Sequence, residues 1–130
     1  MRHPDSQHIE ALVKGFADRG QNKTFLSANT TNSFLAIRAS RNPITAQGLA
    51  GMYDSDDLVI ELSELVKIHR LEADSDWGFA AFTLKEAFSY KGDLNNDLST
   101  YSLIFKKIEG IWRISWLQRS QGTTDLSTWD

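Results

Sequence analysis

Lys107-Ile108-Glu109-Gly110-Ile111-Trp112-Arg113-Ile114-Ser115-Trp116-Leu117-Gln118-Arg119-Ser120-Gln121-Gly122 is the stretch that decides how this chain folds. Two β-branched and aromatic segments flank Glu109-Gly110, a dipeptide suited to a tight turn. The stretch therefore reads as the last hairpin of an antiparallel sheet. Alternation along its second arm puts Trp112, Ile114, Trp116 and Gln118 on one face, and Arg113, Ser115, Leu117 and Arg119 on the other.

Upstream the same period of two continues. Leu98 to Ile108 is one strand and Trp77 to Tyr90 another, with turns expected at Lys91-Gly92-Asp93 and at the Asn95-Asn96 pair. From Asp57 a first long strand sets Leu58, Ile60, Leu62, Val66 and Ile68 on one parity, with Glu64 the exception. Before residue 57 the period is helical. Ile9, Leu12, Val13, Phe16 and Ala17 follow i, i+3, i+4, i+7 spacing, with Asp5 as N-cap and Gly20 as stop. A short second helix is expected over Lys23 to Ala28, burying Phe25 and Leu26, and a strand over Ser33 to Ala39. Arg41-Asn42-Pro43 breaks that strand, and Thr45 caps a third helix running to about Met52. Helices followed by strands argue an α+β fold, its helices packed on one face of a curved antiparallel sheet. Strands of about 10–15 residues, against a usual ~5–6, must twist and bend. With three N-terminal helices on its concave face, such a sheet makes a cone.

Composition is consistent with this. At 130 residues the chain is one domain, 1–130, ending in a short polar tail over 123–130 that carries Leu126 and Trp129. No apolar run approaches the ~18–20 residues a membrane helix needs. Met1-Arg2-His3-Pro4-Asp5-Ser6 has no apolar segment behind it, so no signal peptide is expected. Zero cysteines excludes disulfides, thiolate metal sites and Cys nucleophiles, and fits a reducing, cytoplasmic setting. The net charge is −3, and the 14 bases are scattered. A phosphate backbone or an anionic bilayer needs a clustered positive field, so neither nucleic acid nor a membrane surface is an expected partner.

Gly110-Ile111-Trp112-Arg113-Ile114, then Trp116, then Gln118-Arg119-Ser120-Gln121-Gly122 carry a resemblance. They are similar to the G-x-W-x-hydrophobic hairpin and R-S-x-G ending of the nuclear transport factor 2-like superfamily, in its SnoaL-like branch. Asp74-Ser75-Asp76-Trp77-Gly78-Phe79-Ala80 resembles the acidic turn that leads such domains into an Ala-rich strand. The resemblance covers nearly the whole chain. It implies a pocket lined by inward strand residues and a homodimer formed through the outer face of the sheet. In related domains the Arg of the R-S ending faces the cavity. Carried over, Arg119, Leu117 and Ser115 line the pocket, while Trp112, Ile114, Trp116 and Gln118 form the dimer face. Two Trp and an Ile facing outward are too large an apolar patch for a monomer. The plainer alternative is that this face is the core and Arg119 lies in solvent.

The same alternation nominates Phe82, Leu84, Tyr101 and Leu103 as further apolar lining, with Glu86 and Arg119 as convergent polar groups. Glu86 read plainly is a solvated strand-end residue, and Tyr101 a core tyrosine. Isomerases and dehydratases of the superfamily carry an acid–base carboxylate or His, in several relatives on the strand before the third helix. Here that strand reads Ser33-Phe34-Leu35-Ala36-Ile37-Arg38-Ala39, without Asp, Glu or His, and Arg38 cannot serve as a base. His69 reads as a surface residue. Asp54, Asp56 and Asp57, and likewise Asp93, Asn95, Asn96 and Asp97, lack the Gly and terminal Glu of a calcium loop and suit turns instead. No metal or cofactor motif is present, and none is expected.

Three functions follow as expectations. The first is a homodimer binding a small acidic or amphipathic ligand, its carboxylate held by Arg119, with Arg38 as a second candidate. The second is a lyase or isomerase with Glu86 as base and Tyr101 as oxyanion donor. The third is a dimerisation module whose cavity is filled by side chains. The state of Glu86 separates the first two: paired with Arg119 it stays charged, whereas alone among Phe82 and Leu84 it would hold a proton.

Overall fold

The computed structural model describes residues 4–18, 22–39 and 42–121. Gly20 and the tail from residue 122 onward, with Leu126 and Trp129, lie outside the described residues, as does His3. The chain runs α1 (Ser6–Ala17), α2 (Asn22–Asn29), β1 (Thr30–Ile37), β2 (Pro43–Thr45), α3 (Ala46–Tyr53), β3 (Leu58–Ala73), β4 (Trp77–Tyr90), β5 (Asp93–Ile108) and β6 (Ile111–Gln121). The strands form one sheet in the order β2-β1-β6-β5-β4-β3, antiparallel apart from the parallel pairing of β1 with β6. The fold is α+β, a curved sheet closed into a cone by three helices.

Each element follows from its residues. In α1, Ile9, Val13, Phe16 and Ala17 are buried on one stripe. Asp5 stands at the N-cap position without a capping hydrogen bond; its Oδ2 accepts instead from Lys107 Nζ at 2.9 Å. Thr45 does cap α3, its side chain accepting from Gly48 N at 3.2 Å. Asn42-Pro43 does not simply end the preceding strand. Pro43 opens the short edge strand β2, where its missing N–H costs no ladder bond.

Both long hairpins turn on two residues with positive φ, Lys91-Gly92 (52° and 87°) and Glu109-Gly110 (52° and 81°). Two such residues in succession match the right-handed twist of the flanking strands. Asn95 and Asn96 therefore belong to β5, not to a turn. Curvature comes from β-bulges. Against β4, strand β3 slips register between Ile60 and Leu62, Leu65 and Lys67, and Ile68 and Arg70. Each slip flips the parity that a strict alternation expects. Leu62 and Val66 do not share a face with Ile60 and Ile68: Val66 is exposed, while Leu65 and Ile68 pack on the core.

The core fills the concave face. Phe16 meets Phe82 and Tyr101 edge-on, at 6.0 and 5.1 Å between ring centroids, and Phe82 stacks on Tyr101 at 5.5 Å. Ile9, Val13, Leu26, Leu84, Leu103 and Phe105 complete the layer. Among the described residues no helix is long and apolar enough to cross a membrane.

Candidate functional site

A cavity of about 310 Å³ opens where α3 meets the concave sheet. Leu49, Met52 and Tyr53 of α3 form one wall. Leu58, Phe88, Tyr90 and Asn95 form another, and Ala36, Arg38, Ala39, Tyr101, Leu117 and Arg119 the floor and rim. The lining is mainly apolar, and among the described residues Arg38 and Arg119 are its charged members.

The one parallel pairing brings both arginines to the same cavity: Ala36 opposes Leu117 and Ile37 opposes Gln118, and Arg38 and Arg119 each follow directly along their chain segments. Their partners differ. Arg119 Nε donates to Glu86 Oε1 at 3.4 Å, and its guanidinium lies 5.9 Å from the centre of the Phe88 ring. Arg38 Nε donates to the Asn42 carbonyl at 3.1 Å, and its Nη1 lies 3.9 Å from Met52 Sδ. Among the described residues, no carboxylate pairs with Arg38.

Glu86 is 2% exposed and lies behind the cavity wall, not in it. The Tyr101 hydroxyl donates to both its oxygens, at 2.9 and 3.1 Å. The solvated Glu86 of the plain reading is thereby excluded. A base must reach the proton it abstracts; here both oxygens are engaged by groups that separate Glu86 from the cavity. Tyr101, committed to Glu86, is likewise poorly placed as an oxyanion donor. The arrangement suits holding an anion better than moving a proton.

The structure also corrects several expected positions. Trp112 and Ile114 do not lie on the outer face; they are 7% and 0% exposed and belong to the core. The cause is a bulge in β6. Ile104 opposes Trp116 while Phe105 opposes Ile114, leaving Ser115 as the extra residue that reverses the alternation. Ser115 does not line the cavity: it is buried and accepts from Thr31 Oγ1 at 3.3 Å. Beyond the bulge, Leu117 and Arg119 do face the cavity, and Gln118 is exposed.

Phe82, Leu84 and Leu103 face inward but do not line the cavity, because Phe16 and the rest of α1 cover that part of the sheet. The lining residues from α3 were not expected; only their tertiary placement brings them in. Phe88 and Tyr90 had a visible signal, sharing the bulky parity of β4. Asn95 was hidden by its assignment to a turn.

His69 is not a plain surface residue. Its Nε2 lies 2.7 Å from Thr83 Oγ1, which lies 2.8 Å from Thr100 Oγ1, so a polar chain crosses β3, β4 and β5. Burial, then the charges of Lys67 and Arg70, hold the His69 pKa below its ordinary value.

Comparison with known proteins places this geometry. A family model described as a protein of unknown function (DUF3804) matches residues 4–130. Among solved structures, an NTF2-like protein of unknown function from Prochlorococcus is 39% identical, covering 98% of this chain and 100% of that one, with a TM-score of 0.88. A putative calcium/calmodulin-dependent kinase II association domain from Exiguobacterium sibiricum is 10% identical, covering 96% and 98%, with a TM-score of 0.81. A ketosteroid isomerase-like protein from Erwinia carotovora is 16% identical, covering 93% and 98%, with a TM-score of 0.69. The last two share the fold alone. The matches are to the nuclear transport factor 2-like superfamily as a whole, without singling out its SnoaL-like branch. No curated protein matches the chain.

Proposed function

The chain belongs to the DUF3804 family and has the nuclear transport factor 2-like fold, and on that premise we propose that its cone binds a small organic anion with an apolar body. The observation that carries this reading is the presence of two arginines, Arg38 and Arg119, in the lining of a mainly apolar cavity, with Glu86 paired to Arg119. Like charges in one cavity repel, and an incoming carboxylate relieves that repulsion while gaining charge-assisted hydrogen bonds. Because Glu86 already engages Arg119, Arg38 at the rim is the principal anchor. The apolar body of the ligand lies among Leu49, Met52, Phe88 and Leu117. At about 310 Å³ the cavity is at the small end of the ~300–1,000 Å³ usual for ligand sites.

Calorimetric titration with hexanoate tests this. Binding that weakens roughly 10- to 100-fold in Arg38→Ala supports the reading, that being the range for one lost charge-assisted hydrogen bond. Hexanoate bound equally well by the variant, or not bound by the wild type, rejects it; the second result favours a dimerisation module without ligand.

The protein is also read as a cytoplasmic homodimer joined through the convex sheet face. Phe79, Ile104 and Trp116 lie in register across β4, β5 and β6, and Trp77 stands exposed beside them. Such an outward apolar row suits a two-fold contact between copies. Trp116 and Gln118 belong to the proposed contact, and the buried Trp112 and Ile114 do not.

A further inference from the structure

We propose that Glu86 sets the charge of the ligand, selecting a monoanion over a dianion by neutralising Arg119 and leaving Arg38 as the uncompensated cation. The inference rests on the cavity being an anion site, and goes beyond it by naming the residue that decides which anions enter.

Tyr101 on β5 and Arg119 on β6 both donate to Glu86 on β4, so the carboxylate ties together three neighbouring strands. Tyr101 is the register partner of Arg119. By donating to both Glu86 oxygens it fixes the plane of the carboxylate, so that Oε1 meets Arg119 Nε. Glu86 and Tyr101 are buried, and the Arg119 side chain is only 19% exposed. Their charges are therefore weakly screened, and each one counts toward the potential at the cavity floor.

Of the two guanidiniums among the described lining residues, that of Arg119 is already paired with Glu86, which leaves Arg38 to meet the ligand. A ligand with one negative charge completes the balance. A second negative charge would be held against Leu49, Phe88 and Leu117 with Arg119 already engaged by Glu86, which is a desolvation cost without full compensation. Glu86 thus acts as a built-in anion, occupying the position that a second ligand charge would otherwise take.

The experiment compares three ligands sharing a short alkyl chain: hexanamide, hexanoate and butylmalonate, which is hexanoate with a second carboxylate on its α-carbon. Titrations run at mildly alkaline pH, where both carboxyls of butylmalonate are ionised. Wild-type protein is expected to bind hexanoate at least tenfold more tightly than either of the others. In Glu86→Gln, which keeps an acceptor for Tyr101 but removes the charge, the affinity ratio of butylmalonate to hexanoate is expected to rise about tenfold or more. Tyr101→Phe, which removes a hydrogen bond without changing charge, leaves that ratio within twofold. A purely structural role for Glu86 would weaken all three ligands together and leave the ratio unmoved. Hexanoate binding with an unchanged ratio in Glu86→Gln therefore overturns this inference alone. Wild-type protein that binds hexanamide as well as hexanoate, or that binds none of the three, overturns the anion reading and this inference with it.

Discussion

The Tyr101 hydroxyl donates to both carboxylate oxygens of Glu86, at 3.1 and 2.9 Å, although the two residues are not register partners: Tyr101 opposes Phe82, and Glu86 opposes Asp97. The tyrosine ring reaches along the sheet while stacked on Phe82. A hydrogen bond to a charged group contributes about 1.5–3 kcal/mol, and it is lost here with little change in packing. Tyr101→Phe is expected to lower stability by roughly that amount in urea denaturation, with an unchanged m-value. An unaltered midpoint would show that the bond contributes nothing.

Gly78 lets α1 approach the sheet. A Cβ built there would collide with Ile9 Cδ1 and stand 2.9 Å from the Glu72 carbonyl oxygen. Gly78→Ala is expected to cost about 1–3 kcal/mol by overpacking. Shortening Ile9 to Val in the same chain should recover part of the loss, because the clash with Ile9 involves the far end of its side chain. Strict additivity of the two substitutions in a double-mutant cycle would mean that they do not touch.

How far the sequence could be read follows from these contacts. The boundaries of β4 and the start of β6 were legible because Glu109-Gly110 and the Trp77 run are strong local signals. The inward position of Arg119 was reached through a resemblance, and it holds only because the bulge at Ser115 lies before it. The same bulge misplaced Trp112 and Ile114, since alternation has no means of announcing an extra residue. Three further bulges scrambled the faces of β3 in the same way. The α3 wall of the cavity was invisible for a different reason. Leu49, Met52 and Tyr53 enter the site through the packing of helix on sheet, which no local pattern encodes. The convergence of Arg38 and Arg119 on one cavity was hidden too, because it depends on a parallel pairing between segments some eighty residues apart.

The bulge separates two tests of the outer face. Ile114 is fully buried, so Ile114→Lys is expected to unfold the domain by placing an unpaired charge in the core. Trp116, beyond the bulge and partly exposed, belongs to the proposed interface. Trp116→Glu should leave circular dichroism intact while light scattering reports a monomer. A folded Trp116→Glu dimer would remove the convex face from consideration, and a folded Ile114→Lys chain would contradict the placement of the bulge.

His69 makes stability depend on pH. Burial first, then Lys67 and Arg70, lower its folded-state pKa below the ordinary value of 6.5 that it regains on unfolding. Between those two values the unfolded chain binds more protons than the native one, so stability rises with pH across that window. The contribution is complete above about 6.5 and is lost progressively as pH falls through that value toward the lower folded pKa. The bond to Thr83 joins the imidazole to Thr100, and in the imidazolium both ring nitrogens are donors, so Thr83 Oγ1 must then accept from Nε2. His69→Gln keeps a polar partner for Thr83 without a titrating group. Urea midpoints taken on both sides of neutrality should therefore show a fall on the acid side in the wild type that is smaller in the variant. Equal acid-side losses in the two proteins would assign the pH dependence to carboxylates elsewhere and leave His69 without influence on folding.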